Sequence, residues 1–329
     1  MESLTARVKR AAEEAGFDGV GVCSAVVDDW MMHLEQWLDL GCHGAMGYMG
    51  RQRALRLNPQ EFLPGAKSVV MVMKAYSEGS EGASGRAPGV KVARYARGRD
   101  YHDVVGERLA GIVALLEGEG FGVRPFVDSS PVMEKAWAWR CGLGSIGRNQ
   151  LLVSRRFGSY VVLGGLMTSA DLGADEPGPK PYSICGDCRR CVRHCPTQAL
   201  NERYVDATLC LSYWTVEQKA DRLPSTIGAE LGGRIFGCDA CQEVCPMNLH
   251  REVTDTSMFE PMVAEEWLSP SRLKEMDDEA FREFLGHTAM ARGGLDRLQR
   301  NLLAHEAAEA ERTEKMLRRP RGGRLERPE

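Results

Sequence analysis

Cys185-Gly186-Asp187-Cys188-Arg189-Arg190-Cys191-Val192-Arg193-His194-Cys195-Pro196 carries the strongest signal in this chain. Its C-x-x-C-x-x-C-x-x-x-C-P spacing is that of bacterial ferredoxins, which hold 4Fe-4S cubes. Downstream stand Cys210 and then Cys238-x-x-Cys241-x-x-x-Cys245-Pro246. Two-residue gaps let three thiolates curl around one cube, while the fourth, three residues on, points to the neighbouring cube. Cys185, Cys188, Cys191 and Cys245 therefore form one ligand set, and Cys195, Cys238 and Cys241 most of a second. The second run is incomplete, because Ile235 stands three positions before Cys238 where a thiol is due. Cys210 is the remaining cysteine of the segment and the expected substitute. Two clusters make the chain an electron carrier at least.

Cys-x-x-Cys pairs also hold zinc, but a run of four cysteines closed by Cys-Pro is not a zinc-ribbon pattern. The opening Met1-Glu2-Ser3-Leu4-Thr5-Ala6-Arg7 has no basic-then-apolar export signal. No apolar run approaches the ~18 residues of a membrane span. The expectation is a cytoplasmic chain with no membrane partner and no disulfides. Cys23, Cys42 and Cys141 lie outside the cluster segment and read as small buried apolar residues.

At 329 residues, 43% hydrophobic and 27% charged, the chain has the composition of a soluble protein of about two domains plus an appendage. A net charge of −4 excludes global attraction to nucleic acid and leaves only local patches for such contacts. Residues 1–175 read as a mixed α/β domain. Leu4, Val8, Ala11, Ala12 and Ala15 mark a helix face stopped by Gly16, and Val104–Leu116 marks another helix. Strands are expected at Val20–Cys23, Ser68–Tyr76, Val123–Val127 and Tyr160–Leu163, and a Gly/Ser loop at Glu78–Gly89. Ser130-Pro131 is expected to open a helix, with proline at its first position. Glu176-Pro177-Gly178-Pro179-Lys180-Pro181 suits a boundary before a ferredoxin-like domain over 176–262. A helical region over 263–311 and a disordered arginine-rich tail over 312–329 complete the layout.

Two cofactor motifs come close and fail. Gly142-Leu143-Gly144-Ser145-Ile146-Gly147 matches G-x-G-x-x-G, but it follows a helical stretch, Glu134–Arg140, where a dinucleotide fold needs a strand. Asp100-Tyr101-His102-Asp103-Val104-Val105-Gly106 approaches the D-x-H-x-x-G of histidine-ligated corrinoids, with its glycine one place late. His102 is therefore expected to hydrogen-bond or pack near the pocket rather than to ligate cobalt. Asp128 ends a strand ahead of an expected helix, where capping is the common role of aspartate. Ser130 can serve as that cap, which leaves the Asp128 carboxylate free.

An ordered set of segments resembles the epoxyqueuosine reductase family, from about Gly41 to Arg300. It comprises Leu63-Pro64-Gly65-Ala66-Lys67-Ser68-Val69, Arg94-Tyr95-Ala96-Arg97-Gly98-Arg99-Asp100-Tyr101-His102, Val127-Asp128-Ser129-Ser130-Pro131-Val132-Met133-Glu134-Lys135-Ala136, Gly142-Leu143-Gly144, the cysteine pattern with Cys210, and Ile235-Phe236-Gly237-Cys238-Asp239. The chain departs from the family at Ser145 and Met247, where tryptophan is usual, and in its short C-terminal region. The resemblance implies an α+β protein, with a nitroreductase-like cobalamin domain and a ferredoxin-like domain for two 4Fe-4S clusters. It implies deoxygenation of epoxyqueuosine in a tRNA anticodon stem-loop, on cobalamin without a protein axial ligand. Electrons would come from an external one-electron donor such as a flavodoxin or ferredoxin, and the chain would act as a monomer. Asp128 becomes the proton donor, which requires a pKa raised by burial. Arg56 becomes a cobalamin contact, with Asp128 beside it. Arg94, Arg97 and Arg99, interleaved with Tyr95 and Tyr101, suit an edge facing tRNA phosphates and bases. A reductive dehalogenase relative and a plain ferredoxin-type carrier are the alternatives; the first lacks its usual export signal and the second leaves the large α/β domain without a role.

Overall fold

The computed structural model describes residues 2–28, 31–76 and 90–318. The loop expected at Glu78–Gly89 and the end of the arginine-rich tail lie outside them. In chain order the strands are β1 (Gly19–Ser24), β2 (Ser68–Ala75), β3 (Lys91–Val92), β4 (Val123–Phe126), β5 (Ser145–Ile146), β6 (Leu152–Val153), β7 (Val161–Thr168) and β8 (Arg234–Phe236). The helices that bear on the site are α1 (Leu4–Glu14), α2 (Arg53–Leu57), α3 (Tyr101–Gly118), α4 (Glu134–Arg140), α5 (Arg190–His194), α6 (Ser225–Glu230), α7 (Ala240–Glu243) and α8 (Leu295–Leu317).

The first half is built on an antiparallel sheet of order β1-β2-β7-β4, in which Val72 faces Val20 on one side and Gly164 on the other. All eight residues of β2 are buried. Side chains alternate across a strand, so Val70 and Val72 enter the core under α1 and α3, while Val69, Met71 and Met73 enter the core under α4. Both faces are covered, which is why the run Ser68–Ala75 reads as continuously apolar. Its one charge, Lys74, is buried and satisfied by Asp18 at 3.2 Å. The architecture is α+β.

Gly142 ends α4 at φ +78°, the left-handed residue that commonly terminates a helix. The glycine-rich motif is thus a helix stop running into the β5–β6 hairpin, not a phosphate loop. The helix expected at Ser130-Pro131 begins instead at Glu134, capped by Met133 without a side-chain bond. Val132 is buried and its carbonyl accepts from Arg56, so residues 127–133 are held as a turn. Ser130 is no cap, and the argument that it frees Asp128 does not survive.

A third core joins the cluster segment to the C-terminal region. Val90, Val92, Ile235 and Phe236 pack with Leu273, Phe281, Leu285, Met290, Leu298 and Leu302. β3 and β8 pair in parallel beneath it, and α8 lies along α6 and β8. Helix α8 runs on to Leu317, so residues 312–317, expected to be disordered, are helical. Arg312 bonds Glu309 at 2.7 Å and the Ala229 carbonyl at 2.9 Å, and Lys315 pairs with Glu311 one turn back. Among the described residues no helix is long and apolar enough to cross a membrane.

Candidate active site

The eight cysteines of the cluster segment lie in two neighbouring groups. Cys191 sits in the electrostatic neighbourhood of Cys185, Cys245 and Cys188; burial chiefly, with these thiols adding, pushes it up to about 11. Cys195, Cys210, Cys238 and Cys241 together line a cavity of about 400 Å3. Burial raises Cys238 to about 12, against a backbone N–H and with Cys210 nearby. Cys241 is pushed well up by burial and feels Cys238, Cys210 and also Cys191, so the two sets adjoin. Thiols raised this far stay protonated at neutral pH unless a metal displaces the proton. Among the described residues no three His, Cys, Asp or Glu close on a single point as one ion requires; thiolates on separate corners of a cube stand farther apart. The Arg148 N–H points at the Cys185 sulfur at 3.4 Å, a contact of the kind that tunes cluster potential. Ile235, the position without a thiol, is fully buried and gives its carbonyl to Asn301 Nδ2 at 2.8 Å. Cys23, Cys42 and Cys141 are buried outside both sets.

A second cavity, of about 830 Å3, opens between α2, the 127–133 turn, the segment Ser212–Lys219 and the turn that carries Arg292. Tyr95, Tyr101, Asp128, Glu134, Lys135 and Ser212 line both cavities. The catalytic candidate thus faces large empty space on one side and four cluster thiols on the other.

Asp128 stands at φ 45° and ends a line of charges. Arg292 Nε donates to Asp100 Oδ2 at 2.8 Å, Asp100 Oδ1 meets His102 Nδ1 at 2.6 Å, and His102 Nε2 meets Asp128 Oδ2 at 3.1 Å. The His102 ring stacks on Tyr101 with centroids 4.1 Å apart. Burial disfavours charge on His102, but its bonds to Asp100 and Asp128 outweigh this and raise it to about 9. Burial likewise pushes Asp100 up, and its bonds to His102 and Arg292 overturn that, taking it to about 2.

The raised pKa expected for Asp128 is not found. Burial pushes it up, but bonds to His102 and Tyr101 and the charge of Arg292 hold it below the usual carboxylate range. Its side chain is 60% open, into a cavity whose walls still strip it of much of its water. The proton available at neutral pH resides on His102, one hydrogen bond behind Asp128. Both ring nitrogens are engaged by carboxylates, the hydrogen-bonding role near the pocket that the sequence suggested.

Arg56 projects from α2 into the same cavity. It is 8% exposed, donates to the Val132 carbonyl at 3.2 Å and leaves its Nε buried without a partner. Burial lowers its pKa, opposed by Glu134, Tyr48 and Asp128. Glu134 also keeps a buried, unpaired Oε1, and burial, then Asp128, raises it to about 8. Met46, Met49, Val132, Met133, Val216 and Phe236 supply apolar surface around these groups. Unpaired polar atoms in an apolar wall beside the cluster thiols fit the resemblance's cobalamin: Arg56 and Glu134 would hold its polar edges.

The three arginines expected to face tRNA are not gathered at the cavity. Arg94 lies over the Tyr160 ring at 4.7 Å, Arg97 Nε donates to the Val92 carbonyl at 2.9 Å, and Arg99 pairs with Glu107 at 2.9 Å. Lys219, Arg292 and Arg297 line it instead. Sequence reasoning underrated His102, Glu134 and Arg292. A second carboxylate six positions after Asp128 could have flagged Glu134; nothing local flags Arg292.

Comparison with known proteins follows the same lines. Residues 56–129 match the family described as epoxyqueuosine reductase QueG, DUF1730, and residues 184–248 match the 4Fe-4S double cluster binding domain. The epoxyqueuosine reductase of Cyclobacterium marinum is 37% identical over 307 residues, covering 92% of this chain and 96% of its own. An epoxyqueuosine reductase solved with an epoxyqueuosine-modified tRNA-Tyr stem loop superposes with TM-score 0.78 at 28% identity, over 96% of this chain and 85% of that one. The Bacillus subtilis epoxyqueuosine reductase, solved with a catalytic loop swung out of the active site, gives TM-score 0.76 at 29% identity, over 96% of this chain and 86% of that one.

Proposed function

This chain belongs to the epoxyqueuosine reductase family, and we propose that it converts epoxyqueuosine to queuosine at the wobble position of tRNA. The observation that carries the reading is the pair of adjoining cavities sharing Asp128, one of them walled by four cysteines of the cluster segment. The reaction consumes two electrons and two protons and releases the epoxide oxygen as water, leaving a carbon–carbon double bond. When bound, cobalamin and the two 4Fe-4S clusters supply low-valent cobalt and single-electron steps.

The protein's own part is proton delivery and positioning. Asp128 contacts the leaving oxygen and hands it a proton drawn from His102, while Asp100 and Arg292 fix the imidazole. Tyr101 steadies Asp128 from the side. Arg56 and Glu134 hold the cofactor's polar edges, and Lys219, Arg292 and Arg297 receive the backbone of the anticodon stem-loop. A flavodoxin or ferredoxin delivers electrons singly, and the chain acts as a cytoplasmic monomer. Conversion of epoxyqueuosine in tRNA by reduced, cobalamin-loaded protein tests the reading; protein with reduced clusters and bound corrinoid that leaves the nucleoside unchanged refutes it.

A further inference from the structure

We propose that the groove formed by Arg190, Arg193 and His194 against Leu249 is the docking surface for an acidic one-electron carrier protein. Electrons then enter at the cluster set of Cys185, Cys188, Cys191 and Cys245. The inference rests on the reading that electrons come from an external protein.

Arg190 and Arg193 stand on α5 with Cys191 between them, so a partner seated on the two arginines docks on the helix that carries this cysteine of the first set. Both side chains are exposed, and among the described residues neither has a hydrogen bond or ion pair. Of the charges nearby, Arg189 and Arg148 share Glu202, and Glu243, the groove's one carboxylate, leans toward Arg234 at 4.0 Å. Unpaired cations beside a redox centre are what steers an acidic carrier to it. The groove, about 440 Å3, also presents Leu249, 57% exposed, beside Val244. An exposed apolar residue beside two unpaired arginines suits a small protein–protein contact better than a phosphate backbone. The second thiol set lines a cavity with Asp128 and shares no residue with this groove, which leaves the first set as the side for electron input. Each docking event moves one electron from carrier to cluster and oxidises the carrier by one. Two events supply the two electrons of the proposed reaction.

The test uses the full cluster-loaded protein, an acidic flavodoxin and methyl viologen. Calorimetry gives the affinity for oxidised flavodoxin, and stopped-flow absorbance gives cluster reduction by reduced flavodoxin. The double variant Arg190→Glu/Arg193→Glu is expected to bind at least about tenfold more weakly at low salt and to be reduced correspondingly slowly. Its iron content and its reduction by methyl viologen, a small cation that needs no such groove, should match the wild type. Wild-type affinity should fall as salt rises. Should the charge reversal lower iron content, Arg190→Gln/Arg193→Gln replaces it, with the same direction expected. Unchanged flavodoxin affinity and rate, a flat salt profile, or lost stem-loop binding with flavodoxin unaffected would each overturn the groove. Wild-type protein that viologen reduces and flavodoxin does not would instead remove the carrier reading beneath it.

Discussion

Asp128 occupies a left-handed backbone position, φ 45°, that aspartate tolerates better than most residues. The turn aims its carboxylate at His102, and that contact decides its chemistry. Asp128→Asn should keep both clusters and the corrinoid while turnover falls by roughly 10²-fold or more; near-normal turnover removes Asp128 from proton delivery. His102, raised to about 9, supplies a pH signature. Its charge stabilises the fold fully below its unfolded value, ~6.5, and that contribution is lost as pH rises through about 9. Turnover should therefore decline over the same alkaline window, and in His102→Gln that limb should vanish from a lower plateau. An unchanged limb in the variant would assign it elsewhere. Glu134 runs the other way from an ordinary carboxylate, since its neutral form is favoured up to about 8. Its contribution is fully present below the unfolded value, ~4.3, and is lost as pH rises from there through about 8, so Glu134→Gln should melt higher than wild type in alkaline buffer, with less difference in acid; equal curves throughout would contradict its burial. Asp128 was legible through its motif. His102 was legible as a hydrogen-bonding residue near the pocket but its partners were not, because they sit two and twenty-six positions away and only the fold brings both to one ring.

At the level of elements, β2 could be read directly from eight consecutive residues, whereas the cluster segment could be read only in part. Its gap at Ile235 demanded a borrowed ligand, and Cys210 lines one cavity with Cys195, Cys238 and Cys241. Cys210→Ser should lower iron from about eight toward about four atoms per chain, checked by iron assay and electron paramagnetic resonance. Retention of the full complement would mean another ligand closes that cluster. What local pattern could not tell is why Ile235 is there. It is a core residue whose carbonyl is taken by Asn301, and Asn301 also bonds the Thr215 carbonyl at 3.0 Å. Both contacts span more than sixty residues. Asn301→Ala should cost roughly 1–3 kcal/mol by orphaning buried carbonyls, seen as a lower melting temperature; a neutral effect would show that the site relaxes.

Across the whole molecule, the C-terminal region is less an appendage than its length and charge suggested. It closes a core with β3 and β8 and sends Arg292 to Asp100 at 2.8 Å, across 192 positions of sequence. The parts adjoin: Cys191 stands on α5, Cys195, Cys210, Cys238 and Cys241 line a cavity with Asp128, and that cavity borders a larger one which Asp128 also lines. That arrangement is the central claim, with electrons entering at the cysteines and chemistry ending at Asp128. Nucleoside mass spectrometry of epoxyqueuosine-containing tRNA, after incubation with reduced, cobalamin-loaded protein, tests it most directly. The account predicts loss of epoxyqueuosine and equal gain of queuosine, two electrons consumed per nucleoside, both abolished in Asp128→Asn. Unchanged epoxyqueuosine, with clusters demonstrably reduced and corrinoid bound, would contradict it.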